Sequence, residues 1–312
     1  MNLRTPRAHP RGCGGEDLEM TGLHRRRIGG KLKDLAMSLC FLCPSFLGVC
    51  LFFIIPFAVV VKYAFTDING ALVHFENFKN LFSNPVFKLA AKNTLTFSAM
   101  AVPLSVVLAL VLALMLECRI PLKSHFRTFF LSPMMVPVAS VVLIWQVLFN
   151  NKGSVNDLIV LLGGQPHDWL VSQYAVYVVV LLFLWKNLGY NMILFMAGLS
   201  NIPKELLEVA DVEGASEWYK FFAIKLRYLS PTVLFVTILS LINSFKIFRE
   251  IYLLTEDYPP ELYMLQHFMN GTFRYMDYQK LSAAAIILAL VMVVLIALLF
   301  RAEDRFGKDV EG

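Results

Sequence analysis

Long apolar runs alternate with short polar segments along this chain after residue 34. Six runs are long enough to cross a bilayer, which takes roughly 20 helical residues. They cover about 35–61, 89–116, 128–149, 174–199, 229–248 and 281–300. Backbone polar groups in hydrocarbon must be satisfied within the segment, so each run is predicted to be helical. The pattern predicts an all-α integral membrane protein with six transmembrane helices.

Composition agrees with this class. Hydrophobic residues make up 57% of the chain, charged residues only 16%, and the mean hydropathy is +0.62. Soluble domains carry about 25% charged residues. A single soluble core does not account for six such runs.

The positions of lysine and arginine predict the orientation. Of the 28 basic residues, 18 lie in the segments 1–34, 117–128, 200–228 and 301–312. Short loops rich in these residues stay in the cytoplasm. Both termini are therefore predicted to be cytoplasmic, and the polar segment that opens 249–280 is predicted to belong to an outer loop. The expected divisions are a basic, disordered tail at 1–34, a six-helix transmembrane domain at 35–300 and a C-terminal tail at 301–312. The first tail is expected to hold the orientation rather than to bind nucleic acid.

Prolines interrupt the apolar runs at positions 44, 56, 103, 133 and 137. Proline removes a backbone donor and kinks a helix, which neighbouring helices make tolerable in a membrane. Two interpretations stay open: the kinks serve packing alone, or bent helices line a cavity that opens and closes.

The segment 200–228 is charged and predicted to form a helix, a turn and a second helix. Pro203 suits a first helical turn, and Gly214 can adopt the positive φ that turns a chain. One predicted face carries Lys204, Glu208 and Asp211; another carries Leu206, Val209 and Ala210. The second helix is expected to place Trp218, Phe221, Phe222 and Lys225 on one stripe, with Lys220 and Arg227 elsewhere. The loop is either an interfacial helix or a docking surface for a partner protein.

Several kinds of chemistry are excluded by the sequence. None of the six predicted spans contains Asp or Glu, whereas ion-coupled transporters usually carry buried carboxylates. Gly30-Lys31 and Gly307-Lys308 are not followed by Ser or Thr, so neither completes a nucleotide-binding P-loop. No catalytic site is predicted, because the sequence shows no His-rich or paired-carboxylate constellation. No metal site is predicted either, because Cys40 and Cys43 lie in an apolar run and suit helix packing. Uphill transport would require energy from a partner.

The loop also carries a family pattern. The series Glu208-x-Ala210-x-x-x-Gly214-Ala215-Ser216-x-Trp218-x-x-Phe221-x-x-Ile224-x-Leu226 resembles the cytoplasmic EAA loop of bacterial ABC importer permeases. The likeness is to the carbohydrate branch, represented by the maltose and glycerol-phosphate importers, and covers most of the chain from about residue 35. Supporting stretches are Glu76-Asn77-Phe78, Asn93-Thr94-Leu95, Pro133 with Pro137, Trp145 with Leu148-Phe149-Asn150, Gly153 with Asn156, Ala197-Gly198-Leu199, Ile202-Pro203 and Ser282-Ala-Ala-Ala285.

Three positions in the loop depart from the family pattern. Val209 replaces a second alanine, Glu213 replaces an aspartate, and Arg227 stands where a proline is expected. Val209 is expected to make docking less close. Arg227 is expected to leave the second helix without a break.

The resemblance implies a permease subunit without enzymatic activity, in the bacterial cytoplasmic membrane. Its coupling helix would sit in a cleft of a separate ATPase, which binds ATP and Mg²⁺; no cofactor is expected in this chain. The implied coupling residues are Glu208, Val209, Ala210, Asp211, Gly214 and Ala215. A second permease subunit, an extracytoplasmic solute-binding protein and membrane lipid are the other implied partners. A stand-alone secondary transporter or channel is the alternative.

The solute is expected to be a sugar, an oligosaccharide or a related polyol. Aromatic faces and neutral hydrogen-bonding groups hold such molecules, which makes Trp145, Gln146, Asn191 and Asn243 candidates for the pathway. Each could equally be an interhelical contact. Lys186, near the middle of the fourth run, must face a partner or a wet cavity, unless that run is placed a few residues wrongly. Its charge would instead suit an anionic solute.

Overall fold

The computed structural model describes residues 37–38, 41–117, 123–255 and 259–307, with side chains to residue 305. The predicted disordered tail at 1–34, Cys40 and the end of the C-terminal tail at 308–312 lie outside the described residues. The helices are α1 Phe41–Phe65, α2 Glu76–Ser83, α3 Pro85–Glu117, α4 Lys123–Met135, α5 Val138–Phe149, α6 Ser154–Leu161, α7 Ala175–Ser200, α8 Lys204–Val212, α9 Glu217–Tyr228, α10 Ser230–Phe245, α11 Phe248–Leu254, α12 Leu265–Arg274 and α13 Tyr278–Gly307. Strand pairing in the described residues is limited to one bridge, Thr66 with Leu72.

Four helices are long and apolar enough to cross a membrane without interruption: α1, α3, α7 and α13. Three of them match the predicted runs at 89–116, 174–199 and 281–300 to within a few residues, α13 extending further at its end. Pro103 lies inside α3 without breaking it. The chain divides into two compact units, Met1–Lys62 and Tyr63–Gly312. Most of α1 forms the described part of the first unit, and a π-helical turn occupies Cys50–Ile54 within it.

The third run, predicted as one helix at 128–149, is two helices. The axis of α4 makes an angle of 99° with that of the segment Val138–Leu161. Pro137 lacks an amide N–H, and a residue before proline, here Val136, is disfavoured in the α conformation. These constraints explain the break at Val136–Pro137, so this run is a bent pair.

The fifth run is also interrupted. Helix α10 covers only 16 residues and ends at Phe245, before the predicted end at 248. At its other end it meets α9 at an angle of 66°. Helix α9 runs through Arg227 to Tyr228 without a break at the expected position, and the chain bends afterwards at Leu229, where Pro231 follows in the first turn of α10.

Helix α7 is central to the unit Tyr63–Gly312 and packs against α3, α4 and α10. Its fully buried Met192 and Phe195 belong to a core shared with α3 and α10. A Cβ atom added at Gly189 would lie 1.8 Å from the Phe130 carbonyl oxygen of α4. Glycine therefore allows these two helices to approach closely, as small residues do in membrane proteins.

The two ends of α3 define two ends of this unit. At the loop end, near Glu117, Leu116 packs in one core with Leu199 and Ile202, just before the segment 200–228. At the distal end, Phe87 belongs to a different cluster with Phe268 of α12 and the start of α13. The segment 200–228 and the distal residues thus lie at opposite ends of one long helix.

Candidate coupling loop and solute cavity

The loop begins with α8, which ends in a glycine-dependent turn. Gly214 has φ +77°, as predicted for it. The Ala215 amide donates to the Ala210 carbonyl oxygen (2.9 Å), and the Gly214 amide donates to that of Asp211 (3.1 Å). This pair of hydrogen bonds is the Schellman arrangement, which satisfies the last carbonyls of a helix and favours glycine at the left-handed position. Pro203 lies one residue before the first helical residue, at the N-cap.

One face of α8 is apolar and exposed. Leu206, Val209 and Val212 recur every three residues and are 39%, 56% and 89% exposed. Glu208 is exposed beside them. Ala210, in contrast, is buried. Contrary to the sequence prediction, Leu206 and Val209 therefore do not share a face with Ala210, because Ala210 packs against its own protein.

Lys220 joins the two helices of the loop. This buried side chain bridges the Asp211 carboxylate of α8, at 2.5 Å, and the Glu217 carboxylate of α9. The hydrogen bond to Asp211, and then that to Glu217, raise the pKa of Lys220 above its ordinary value. The lysine is charged at neutral pH, so this electrostatic link is present there and is lost only as pH rises above the ordinary lysine pKa. We call these three residues the Lys220 bridge.

The second helix is tied to the transmembrane part by a different pair. Lys225 Nζ lies 2.8 Å from Glu117 Oε2 at the end of α3. Trp218 and Phe222, in contrast, stack on each other and are exposed, 74% and 56%. Basic and aromatic side chains together suit the headgroup level of a membrane. The loop is consequently braced against α3 while its aromatic residues remain available to lipid or protein.

A cavity of about 840 Å³ lies among α4, α5, α7, α10 and α11. Its volume is within the range of ligand sites in proteins, roughly 300–1,000 Å³. Lys186 and Asn243, two of the five predicted pathway residues, line it. Asn243 donates to the Asn187 Oδ1 atom at 3.0 Å, so two amide side chains lie together on the wall.

Lys186 lies near the middle of the 26-residue α7 and pairs with Glu250 of α11. Both predicted surroundings of this lysine, a partner and a cavity, are thus present. Glu250 is only 8% exposed. Glu250 lies just outside the predicted fifth run, so the observation that the predicted spans contain no Asp or Glu did not reveal this buried carboxylate. The fifth run was predicted to end at 248, and the chain beyond it turns back into the protein as α11.

The other three pathway candidates do not line this cavity. Trp145 is buried and stacks on Phe149. Gln146 donates to the carbonyl oxygens of Leu253 and Leu254, at 2.9 and 3.1 Å. Asn191 is buried and donates to the Ser105 and Ser240 hydroxyls, each at 2.9 Å. These amides hold neighbouring segments together, the alternative that the sequence left open.

Two important residues were missed by the sequence reasoning. Glu250 was assigned to a polar outer loop, although a buried lysine calls for a nearby carboxylate, and Glu250 follows the fifth run closely. Lys220 was placed on a separate stripe without a partner. The signal for it was its spacing from Glu217, which is three residues on a helix. Among the described residues, no group of three His, Cys, Asp or Glu side chains could hold a metal ion.

Comparison with known proteins agrees with this architecture. A family model described as "Binding-protein-dependent transport system inner membrane component" matches residues 101–312. The arabinooligosaccharides transport system permease protein AraP of Bacillus subtilis is 28% identical over 278 residues, covering 85% of this chain and 88% of that protein. The sn-glycerol-3-phosphate transport system permease protein UgpA of Pectobacterium atrosepticum is 28% identical over 271 residues, covering 84% and 92%.

A solved structure shares the fold. The crystal structure of a bacterial ABC transporter involved in the import of alginate, an acidic polysaccharide, aligns with a TM-score of 0.78 at 22% identity, covering 89% of this chain and 99% of that one. The expected class, a multi-pass membrane permease subunit rather than an enzyme, is confirmed by these likenesses. The chain belongs to the family of inner-membrane components of binding-protein-dependent transport systems.

Proposed function

We propose that an ATPase subunit drives this permease through α8 and that the transporter imports a sugar, an oligosaccharide or a related polyol. The observation that carries the proposal is the exposed apolar face of α8, with Leu206, Val209 and Val212 beside Glu208. Exposed apolar surface of this kind, rimmed by charge, marks a protein contact. Both termini are cytoplasmic in this proposal, so the loop and the ATPase meet on the inner side.

Force applied to α8 has a physical route into the membrane. The Lys220 bridge connects α8 to α9, and the Lys225–Glu117 pair connects α9 to α3. Helix α3 packs along α7, whose Lys186 lines the cavity. When ATP binding closes the ATPase dimer, movement of α8 is passed to α3 and α7 and changes which side of the membrane the cavity faces. ATP and Mg²⁺ are bound by the ATPase, and this chain supplies the docking helix and the cavity wall.

Further partners complete the transporter in this proposal. A second, related permease subunit forms the other half of the pathway, and an extracytoplasmic binding protein delivers the solute, as the family's description implies. Leu143, Ile144 and Val147 of α5 are exposed apolar side chains that this subunit or lipid would cover. The cavity supports transport of a polar solute, because amide, aromatic and charged side chains share its wall.

Uptake by the whole transporter in proteoliposomes tests the coupling role. Glu208→Ala and Gly214→Asp are expected to lower ATP-dependent uptake at least about tenfold, the effect of about 1.4 kcal/mol of lost coupling, without reducing membrane insertion. Glu76→Ala and Gly163→Asp are matched controls. Glu76 is an exposed glutamate on α2, and Gly163, with φ +84°, has open space around it like Gly214. Wild-type uptake in both loop variants would reject the docking role of α8.

The rival function is a stand-alone secondary transporter or channel. Buried Glu250 is the observation that favours it, because proton- and ion-coupled transporters use intramembrane carboxylates. Its pairing with Lys186 gives that carboxylate a structural role instead. Liposomes containing this chain alone, without ATP, separate the two functions: solute uptake by them would establish the rival.

A further inference from the structure

The cavity carries more positive than negative charge. Four charged side chains line it: Lys186, Lys246, Arg249 and Glu250. Glu250 is engaged by Lys186. Lys246 and Arg249 are exposed, and neither has a carboxylate partner in the described part of the chain. Two cations that pair with no carboxylate among the described residues therefore face the same cavity.

The backbone explains why both cations lie on the wall. Helix α10 ends at Phe245, Lys246 is its C-cap, and α11 begins at Phe248. Lys246 and Arg249 flank this interruption. The 16 residues of α10 span about 24 Å, less than the roughly 30 Å of a hydrocarbon core. Lys246 lies inside the predicted fifth run, 229–248, where a charged side chain is costly unless it faces water or an opposite charge. The cavity gives this side chain such a place.

Neutral hydrogen-bonding groups lie beside the cations. The side-chain amide of Asn243 donates one N–H to Asn187. Its side-chain oxygen, Oδ1, and its second N–H are available to a ligand. Tyr252 also lines this wall, but its ring stacks on Phe248 and lies 5.9 Å from Arg274 Cζ, so its faces are already occupied. The amide groups match the hydroxyls of a sugar ring.

We infer that the cavity binds a carbohydrate bearing an acidic group, with Lys246 and Arg249 on the carboxylate or phosphate and Asn243 on the sugar. The inference rests on the proposed import function and names its substrate class. Lys186, the residue whose charge first suggested an anion, is already neutralised by Glu250 and positions that carboxylate. The anion-binding groups are instead the two cations at the helix interruption.

The test is ATP-dependent uptake by the whole transporter with its binding protein, using digalacturonate, glucose 6-phosphate and lactose as probes. At least one acidic probe is expected to be imported. Lys246→Gln and Arg249→Gln are each expected to raise its KM at least about tenfold, because a hydrogen bond to a charged group contributes roughly 1.5–3 kcal/mol. Lys79→Gln, an exposed lysine on α2 at the distal end, is the control with the same charge change.

Three results would overturn the inference. These are import of lactose without either acidic probe, import of none of the probes, and an unchanged KM for the imported acidic probe in both variants. Loss of the second permease subunit from the purified Lys246→Gln or Arg249→Gln transporter would also overturn the inference. That result would show that these cations bind the second subunit rather than a solute. The proposed function fails separately, when uptake of an imported probe does not require ATP. Digalacturonate and glucose 6-phosphate distinguish a carboxylate from a phosphate as the acidic group.

Discussion

Individual polar side chains supply hydrogen-bond partners for backbone groups in the segments between helices. Asn156 is buried and accepts hydrogen bonds from the His167 amide (3.1 Å) and from Trp169 Nε1 (2.9 Å). Asn93 donates to the carbonyl oxygens of Pro260 and Tyr263, at 2.6 and 3.1 Å. Both asparagines belong to stretches that carried the family resemblance. In the distal segments these two side chains form hydrogen bonds with backbone groups that would otherwise lack a partner.

The Lys186–Glu250 pair gives a stability prediction at the residue scale. Glu250→Gln leaves Lys186 charged without its carboxylate and is expected to cost about 1–3 kcal/mol, less than for a fully buried pair because Lys186 is partly exposed to the cavity. The combined change Lys186→Gln with Glu250→Gln is expected to restore much of the loss. Thermal unfolding of the detergent-solubilised transporter measures both. A double variant no more stable than Glu250→Gln alone would contradict the pairing.

At the scale of elements, periodicity and apolar length predicted the uninterrupted helices well. Helices α3 and α7 match their runs, although Pro103 removes one backbone hydrogen bond from α3 without ending the helix. The sequence did not predict that the third and fifth runs are bent pairs of helices. A sequence window averages across the break at Pro137 and does not show that α10 stops at Phe245. The polar segment after residue 248 read as an outer loop, whereas it forms α11 and carries Glu250 into the protein.

The helix-turn-helix of the coupling loop was predictable in outline, and its internal bracing was not. The glycine turn at Gly214 follows from local backbone preferences. The three-residue spacing of Glu217 and Lys220 indicates one half of the Lys220 bridge, but the contact with Asp211 depends on how α9 packs against α8, which spacing within one helix does not show.

The bridge yields a prediction for this element. Lys220→Met removes the link between Asp211 and Glu217 and is expected to lower ATP-dependent uptake several-fold while the transporter still assembles. Lys220→Arg keeps the charge and is expected to retain more activity than Lys220→Met. Lys79→Met on α2 is a control for the loss of one lysine. Uptake rates, compared at equal amounts of transporter, measure the effect of each substitution. Equal uptake by wild type and Lys220→Met would show that the bridge does not carry movement from α8.

For the whole molecule, the arrangement around α7 joins the loop and the cavity in one unit. The coupling loop is tied to α3 by Lys225 and Glu117, and the cavity lies along α7, which packs against α3. Composition and the EAA-like pattern sufficed to predict a membrane permease. They did not show which polar side chains would face the cavity, because Asn191 and Gln146 have the same chemistry as Asn243 and differ only in their neighbours.

Site-specific photo-crosslinking in the intact transporter tests the central claim most directly. A photoreactive amino acid at Val212 of α8, which is 89% exposed, is compared with one at Tyr275, which is 87% exposed and follows α12 at the distal end. Our account predicts a covalent adduct with the ATPase from position 212 and none from position 275. No ATPase adduct at position 212, or one at position 275, would contradict it.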